Sequence, residues 1–235
     1  MIDAAVDEEA RPDSLAHRLL LVFLGATHTS TMAGARVCYD LCAMPKYIEP
    51  LRAEIFELLK EDGGWGPTTP MKMRKMDSFG LGSVSLTKAQ YLRYVSVDFH
   101  HLVQKPITLS DGIYLPMGTQ LCTASYPISQ DPNNIASPQD FDGFRYEKLR
   151  RKPDEENKHQ FATTDMNHLH FGRGKYACPG RFFASAELKI ILAHVIMQYD
   201  LKYLPGKGRP ANLNADEFMY PDPTARLLMK RRPRN

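Results

Sequence analysis

Near the carboxyl end the stretch Phe182 to Leu201 is apolar on nearly every side, with Phe182, Phe183, Leu188, Ile190, Ile191, Leu192, Val195, Ile196 and Met197 leaving almost no polar face. A surface helix carries an apolar stripe; one that is apolar all round is enclosed by other elements. The chain must therefore build a domain large enough to surround this helix, and its 235 residues suffice for one large domain or two small ones. The longest apolar runs, Leu19 to Ala26 and Ile190 to Met197, fall well short of the ~20 residues that cross a bilayer. The stretch is a core helix, and no membrane span is expected.

Other function classes fall to composition. Hydrophobic residues make up 43% and charged residues 24%, ordinary globular usage, which excludes collagen-like and wholly disordered chains. A net charge of +3 is too small to mark a nucleic-acid binder. The first residues, Met1-Ile2-Asp3-Ala4-Ala5-Val6-Asp7-Glu8-Glu9, are acidic where a secretory leader is basic and then apolar, so no export signal is expected. Four cysteines, Cys38, Cys42, Cys122 and Cys178, are too sparse for a disulfide framework and contain no Cys-x-x-Cys pair. They read as reduced thiols.

Helical periodicity begins at Ser14 and runs through Leu15, Leu19, Val22, Phe23, Ala26, Met32, Ala35, Val37 and Leu41, predicting one long helix that ends before Pro45. Its middle, Gly25-Ala26-Thr27-His28-Thr29-Ser30-Thr31, is built of residues that disfavour a buried helix. A second helix is predicted over Tyr47 to Lys60, ending at Gly63-Gly64, and a third starts at Lys72 but meets Gly80-Leu81-Gly82. Beyond Val95 the pattern favours strands, with Ser110-Asp111-Gly112 turning a hairpin between Ile107-Thr108-Leu109 and Ile113-Tyr114-Leu115. Residues 131–152 form an irregular packed segment carrying Phe141, Phe144 and Tyr146, and 153–160 a charged, solvated loop. The chain closes on short strands, turns and a basic tail, Lys230-Arg231-Arg232-Pro233-Arg234. That tail reads as a solvated terminus, or alternatively as a nuclear signal.

Phe171-Gly172-Arg173-Gly174-Lys175-Tyr176-Ala177-Cys178-Pro179-Gly180 sets a lone cysteine in a glycine-rich loop directly before the apolar helix. Gly174 and Gly180 allow backbone conformations and a close approach to a flat ligand that side chains would block. The helix start beyond Cys178, with Arg173, Lys175 and Arg181 nearby, favours a thiolate. A stabilised thiolate beneath an open, glycine-lined surface is what a haem iron takes as axial ligand. The competing readings are a buried structural cysteine, which is the expectation for Cys38, Cys42 and Cys122, and a zinc site with His168 and His170, whose spacing lacks the usual pairing.

Phe171, Gly174, Cys178 and Gly180 match the Phe-x-x-Gly-x-x-x-Cys-x-Gly pattern of the cytochrome P-450 haem-thiolate monooxygenases, and the chain resembles that family from Leu15 to Arg232. The resemblance implies a mainly α fold with small β-sheets, an α+β class, here the C-terminal, haem-binding half of the cytochrome P-450 fold as a single partial domain over residues 1–235. Residues 15–44 correspond to the central oxygen-binding helix, 131–152 to the meander and 171–201 to the haem-binding loop and following helix. It further implies that Cys178 is the axial ligand of haem iron, that Thr29 serves proton relay, and that His28 stands where an acid is usual. Phe171, Arg173, Gly174, Lys175, Tyr176 and Gly180 then line the haem (haem b), with Phe171 beside the sulfur. Tyr176 takes a position where a basic residue commonly meets a propionate. Arg145, in Phe141-Asp142-Gly143-Phe144-Arg145-Tyr146, takes the place of the meander arginine. Ile107 to Gly118 and Pro221 to Ala225 are similar to fungal members that oxidise terpenoids and other secondary metabolites.

Two departures temper the activity. The resemblance spans only the C-terminal half of a complete member, so the anchor, early helices and substrate lid are expected to be missing and water to reach the haem. The family's Glu-x-x-Arg helix is expected near Met76, yet no Asp or Glu occurs from Ser78 to Val97, a disrupted segment over 80–97. Arg145 would then lack a carboxylate partner, and an unpaired buried charge costs roughly 3–5 kcal/mol. The matches Glu49/Arg52 and Glu147/Arg150 read as surface ion pairs.

The function implied is a haem-thiolate monooxygenase that inserts one atom of O2 into a hydrophobic small molecule, with electrons from NADPH through a partner cytochrome P-450 reductase. The alternatives are a truncated, non-catalytic relic that binds haem weakly or not at all, and an interaction module using exposed helix faces. Arg173, Lys175 and Arg181 either face the reductase or form a solvated rim. The resemblance implies the endoplasmic reticulum membrane; without an anchor of its own, the chain would be cytoplasmic.

Overall fold

The computed structural model describes residues 5–73, 98–138 and 140–233. The long periodic run forms α1 (Pro12–Ala43), opened by a proline whose missing N–H is no loss in a first turn, and stopped by Met44-Pro45. α2 (Ile48–Asp62) ends at Gly63, whose φ of +70° is the left-handed conformation that only glycine adopts freely. The amides of Gly63 and Gly64 then satisfy the carbonyls of Lys60 and Leu59. α3 (Thr69–Met73) starts three residues before the predicted helix at Lys72. Its expected continuation, the disrupted segment 80–97 and the Glu-x-x-Arg position lie outside the described residues.

β1 (Asp98–Leu102) pairs antiparallel with β4 (Gln120–Thr123), and between them β2 (Ile107–Thr108) and β3 (Tyr114–Leu115) form the predicted hairpin. Gly112 turns it at φ +88°, with the Ile113 amide donating to Asp111 Oδ1 at 3.1 Å. Two short helices follow, α4 (Ser125–Gln130) and, inside the segment expected to be irregular, α5 (Arg145–Arg150). The apolar stretch forms α6 (Arg181–Gln198), shorter than predicted. Tyr199-Asp200-Leu201-Lys202-Tyr203 switches to period two and becomes β5 (Tyr199–Tyr203), paired with β8 (Leu227–Arg231). β6 (Leu213–Ala215) and β7 (Phe218–Tyr220) make a further hairpin. The basic tail is therefore tied down as far as Arg232, whose amide donates to the Gln198 carbonyl at 2.9 Å.

α6 packs on α1, α2 and α3. Val37, Leu41, Ile48, Leu51, Ile55, Met73, Leu192, Ala193 and Ile196 form the main core, each large side chain worth about 1.5–3 kcal/mol of burial. Beside it Ala33, Tyr146, Phe161 and Leu188 make a second cluster. The enclosure predicted for α6 is one-sided: Phe182, Phe183 (66% exposed) and Ile191 face outward. The three partner helices cover one flank only. α1 is divided the same way, with its carboxyl half buried and Leu19 to Leu24 exposed.

Polar groups knit these elements. Arg52 is no surface pair: its side chain is 11% exposed and donates to the carbonyls of Ile196 and Tyr199 as well as to Glu49 and Asp200. The other supposed pair is re-sorted, Glu147 taking Arg151 while Arg150 donates to the Glu156 carbonyl. At the end of α1, buried Asp40 accepts from Arg209 Nε, buried Arg36 donates to the Met219 carbonyl, and the Tyr203 hydroxyl donates to the Tyr39 carbonyl. This joins α1 to the carboxyl-terminal strands.

Candidate functional site

The glycine-rich loop folds back on itself ahead of α6. Its first turn is closed by Gly172 N–H on the Leu169 carbonyl at 2.8 Å and its second by Ala177 N–H on the Gly174 carbonyl at 3.1 Å. Gly172 and Gly174 sit at φ +70° and +64°, conformations costly for any side chain. At Gly172 an added Cβ would also approach the Tyr176 carbonyl to 3.2 Å. Gly180 needs no such freedom, since its φ is −84° and it caps α6. A Cβ there would meet Cys178 Sγ at 4.0 Å, an ordinary contact. Gly172 is the glycine that the sequence reading left out, and its place beside Phe171 was the available signal.

Cys178 is half-buried, with its backbone held at both ends. Its N–H donates to the Phe171 carbonyl at 2.7 Å, and its carbonyl accepts from Arg181 Nη1 at 2.9 Å. The sulfur is thus placed by main-chain bonds that consume none of its own capacity. Arg173, Lys175 and Tyr176 are exposed; Lys175 Nζ lies 5.8 Å over the Tyr176 ring, which also meets His101 of β1 at 5.6 Å. His101 was not singled out from the sequence, since a 75-residue separation carries no local signal.

Thr29 reaches the same neighbourhood from α1. With Ser30 and Ala33 it lines a cavity of about 40 Å³ shared with Phe161, Phe171 and Leu188. The Thr29 hydroxyl donates to its own helix, to the Gly25 carbonyl at 2.6 Å. Ser30, buried, donates to Glu187 of α6 at 2.7 Å, which explains a polar residue in mid-helix. His28 is exposed. The structure therefore brings Thr29, Phe171 and the Cys178 loop together and leaves His28 on the outer side.

Other expectations are corrected. All four cysteines are free thiols, but Cys122 is exposed on the outer face of β4 rather than buried. Burial pushes the Cys38 thiol up to about 11 and the Cys42 thiol up to about 12, so both are inert. Among the described residues no cluster of His, Cys, Asp and Glu could hold a metal ion, and His168 and His170 are engaged elsewhere. Arg145 is partly exposed and escapes the expected isolation. Its guanidinium donates to the carbonyls of Ala136, Ser137 (2.9 Å) and Asp140 (2.6 Å), neutral acceptors that replace the missing carboxylate.

The donor set suits a haem. A single partly buried cysteine stands on a loop with glycines at 174 and 180, next to aromatic and cationic groups, and among the described residues no group of three or more His, Cys, Asp and Glu could hold a competing metal ion. The cytochrome P450 family model matches residues 2–229. The chain is 53% identical over 232 residues to the cytochrome P450 monooxygenase AN1598 of Emericella nidulans, covering 99% of this chain and 42% of that protein. It is 49% identical over 232 residues to the cytochrome P450 monooxygenase olcJ of Penicillium canescens, with the same coverage, and 41% identical over 236 residues to an ent-kaurene oxidase of Gibberella intermedia, covering 99% and 44%. The chain thus spans less than half the length of these curated relatives.

Proposed function

Because the chain belongs to the cytochrome P450 family, we propose that it is the haem-binding part of a monooxygenase in which Cys178 is the axial ligand of haem iron. One observation carries this reading: the Cys178 main chain is pinned by Phe171 and Arg181 on a glycine-rich loop that leaves the residue only partly buried. Bound haem b would supply the activation of O2, with electrons from NADPH through a partner reductase. Phe171 packs at the loop's base, Gly174 sets its second turn, and Tyr176 offers a hydroxyl donor to an anionic edge of the ligand, with Arg173 and Lys175 as nearby cations. Thr29 would have to release the Gly25 carbonyl to move a proton; the 2.6 Å bond is its resting state. His28, on the outer face, has no proton-handling geometry in this arrangement. Relatives named ent-kaurene oxidase favour a hydrophobic terpenoid as substrate class. The whole chain, 1–235, acts as one haem-binding unit in this reading.

A second reading rests on the exposed apolar residues Leu19 to Leu24 of α1, the helix that also carries Thr29. With that flank open to water, a bound haem would consume oxygen without oxidising a substrate, and the chain would be a non-catalytic relic. The test begins with dithionite and carbon monoxide on the purified, haemin-loaded chain. A red-shifted thiolate Soret band that Cys178→Ala abolishes supports ligation; a colourless, folded chain refutes it. Oxygen uptake with product, given a reductase, favours the monooxygenase, and uptake without product favours the relic.

A further inference from the structure

α6 has 18 residues and is therefore about 27 Å long, with the Cys178 loop at its start and a groove of about 750 Å³ at its close. Met197 and Gln198 of α6, one face of α2, Trp65 and the residues that end β8 line this groove. Trp65 is the chain's single tryptophan. It stands on the turn between α2 and α3, where Gly64 N–H donates to the Leu59 carbonyl at 2.8 Å and Gly66 N–H to the hydroxyl of buried Thr69 at 2.9 Å. One face of the indole stacks on His194 of α6, with centroids 3.8 Å apart and planes 17° from parallel, yet Trp65 stays 42% exposed. Phe56 of α2, 55% exposed, lines the same groove. Two wet aromatic rings at one cavity, one of them fixed in orientation, mark a place where a flat apolar surface is received.

The charges of the groove set the rest of the ligand. On the α2 side Glu49 takes Arg52 at 2.5 Å, and Arg52 is further engaged by Asp200 and two carbonyls; Glu57 lies 3.9 Å from Lys60. On the β8 side Arg231 makes no ion pair among the described residues, and Arg232 approaches to 3.9 Å an Asp200 that Arg52 already holds at 2.8 Å. A guanidinium of this kind recognises a carboxylate through two parallel N–H donors. Glu49 and Glu57 repel any further negative charge, which disfavours polyphosphates and favours a single anionic group. The volume is that of an ordinary small-molecule pocket, in which an apolar wall and a few polar groups fix one orientation.

We infer that the groove between α2, Trp65 and the end of β8 is a binding site for flat aromatic monocarboxylates, with the ring on Trp65 and Phe56 and the carboxylate on Arg231 and Arg232. The site shares no lining residue with the Cys178 loop and stands whether or not Cys178 holds iron.

Because the chain has one tryptophan, its selectively excited emission reports on this groove alone. The purified full chain is titrated with para-nitrobenzoate, whose nitro group quenches indole emission, with correction for absorbed light. Saturable quenching is expected, and neutral para-nitrobenzamide should reach half-saturation at about tenfold higher concentration, the effect of one charge-assisted hydrogen bond. Arg231→Gln combined with Arg232→Gln should weaken the acid about tenfold and leave the amide unchanged; both side chains lie at the surface, and the main-chain bond from Arg232 to Gln198 is kept. Phe56→Ala should weaken acid and amide alike, by about threefold. In competition, cyclohexanecarboxylate, charged but neither flat nor aromatic, should displace the acid at about fivefold higher concentration than benzoate does. Quenching that rises linearly without saturation, equal half-saturation by acid and amide, equal displacement by the two competitors, or unchanged affinity for the acid in the arginine or the Phe56 variant overturns the inference.

Discussion

Replacing Asp40 by asparagine keeps the side chain's size and its acceptor for Arg209 but removes a titrating group from the interior. Asp40 is 0% exposed, its Oδ1 accepts from Arg209 Nε, and its Oδ2 is buried without a hydrogen-bond partner. Burial raises its carboxyl pKa to about 7; Arg209 and Arg36 pull the other way and do not prevail. The folded chain thus holds a proton that the unfolded chain releases above about pH 4, and stability falls as pH rises through that window, by about 1.4 kcal/mol per unit and about 4 kcal/mol in all. The amide of the variant stays neutral at every pH. Desolvation pushes Cys38, Cys42, Tyr39 and Tyr203 all upward, and they remain protonated through the window, so they do not mask the effect. Urea unfolding of both proteins at intervals from about pH 4.5 to 8 should show Asp40→Asn gaining on the parent as pH rises, then levelling above about pH 7. A constant difference, or one that favours the parent with rising pH, would mean that the Arg209 pair keeps Asp40 ionised and would refute this reasoning.

Gly143→Ala should destabilise the fold by about 1–3 kcal/mol in the same assay, because the new Cβ would lie 2.5 Å from Cε1 of the buried Tyr47 ring and disturb the 3.2 Å bond from Gly143 N–H to its hydroxyl. Arg52→Met should cost about 1–3 kcal/mol by stranding the Ile196 and Tyr199 carbonyls, whereas Glu49→Gln, at a side chain 74% exposed, should cost at most about 0.5 kcal/mol; equal effects would contradict the burial of Arg52. Ser30→Ala should lose about 1 kcal/mol with the 2.7 Å bond to Glu187, measurable by thermal unfolding against a Thr31→Ala control on the exposed side of α1.

Legibility followed the range of the forces involved. α1, α2 and the 107–115 hairpin were readable because periodicity, Pro45, Gly63 and Asp111-Gly112 act within a few residues. The Cys178 loop was readable for the same reason. The end of α6 was not, since Tyr199 and Leu201 read as further apolar positions of the helix across Gln198 and Asp200, and only pairing with β8 makes the segment a strand. Arg52 and Arg145 were misjudged because their acceptors are main-chain carbonyls brought near by folding, invisible to a search for charged partners. The Tyr146–His168 contact, 22 residues apart, left only a faint sign in the Asp165-x-x-His168 spacing.

Leu19 to Leu24 form a six-residue band, 41–68% exposed, running right around the amino half of α1. Wetted greasy surface of this extent makes a polypeptide adhesive. Concentrated stocks should cloud on warming and clear with mild detergent, and Leu20→Lys with Phe23→Glu should raise the solubility ceiling while leaving the interior at Val37 and Leu41 untouched.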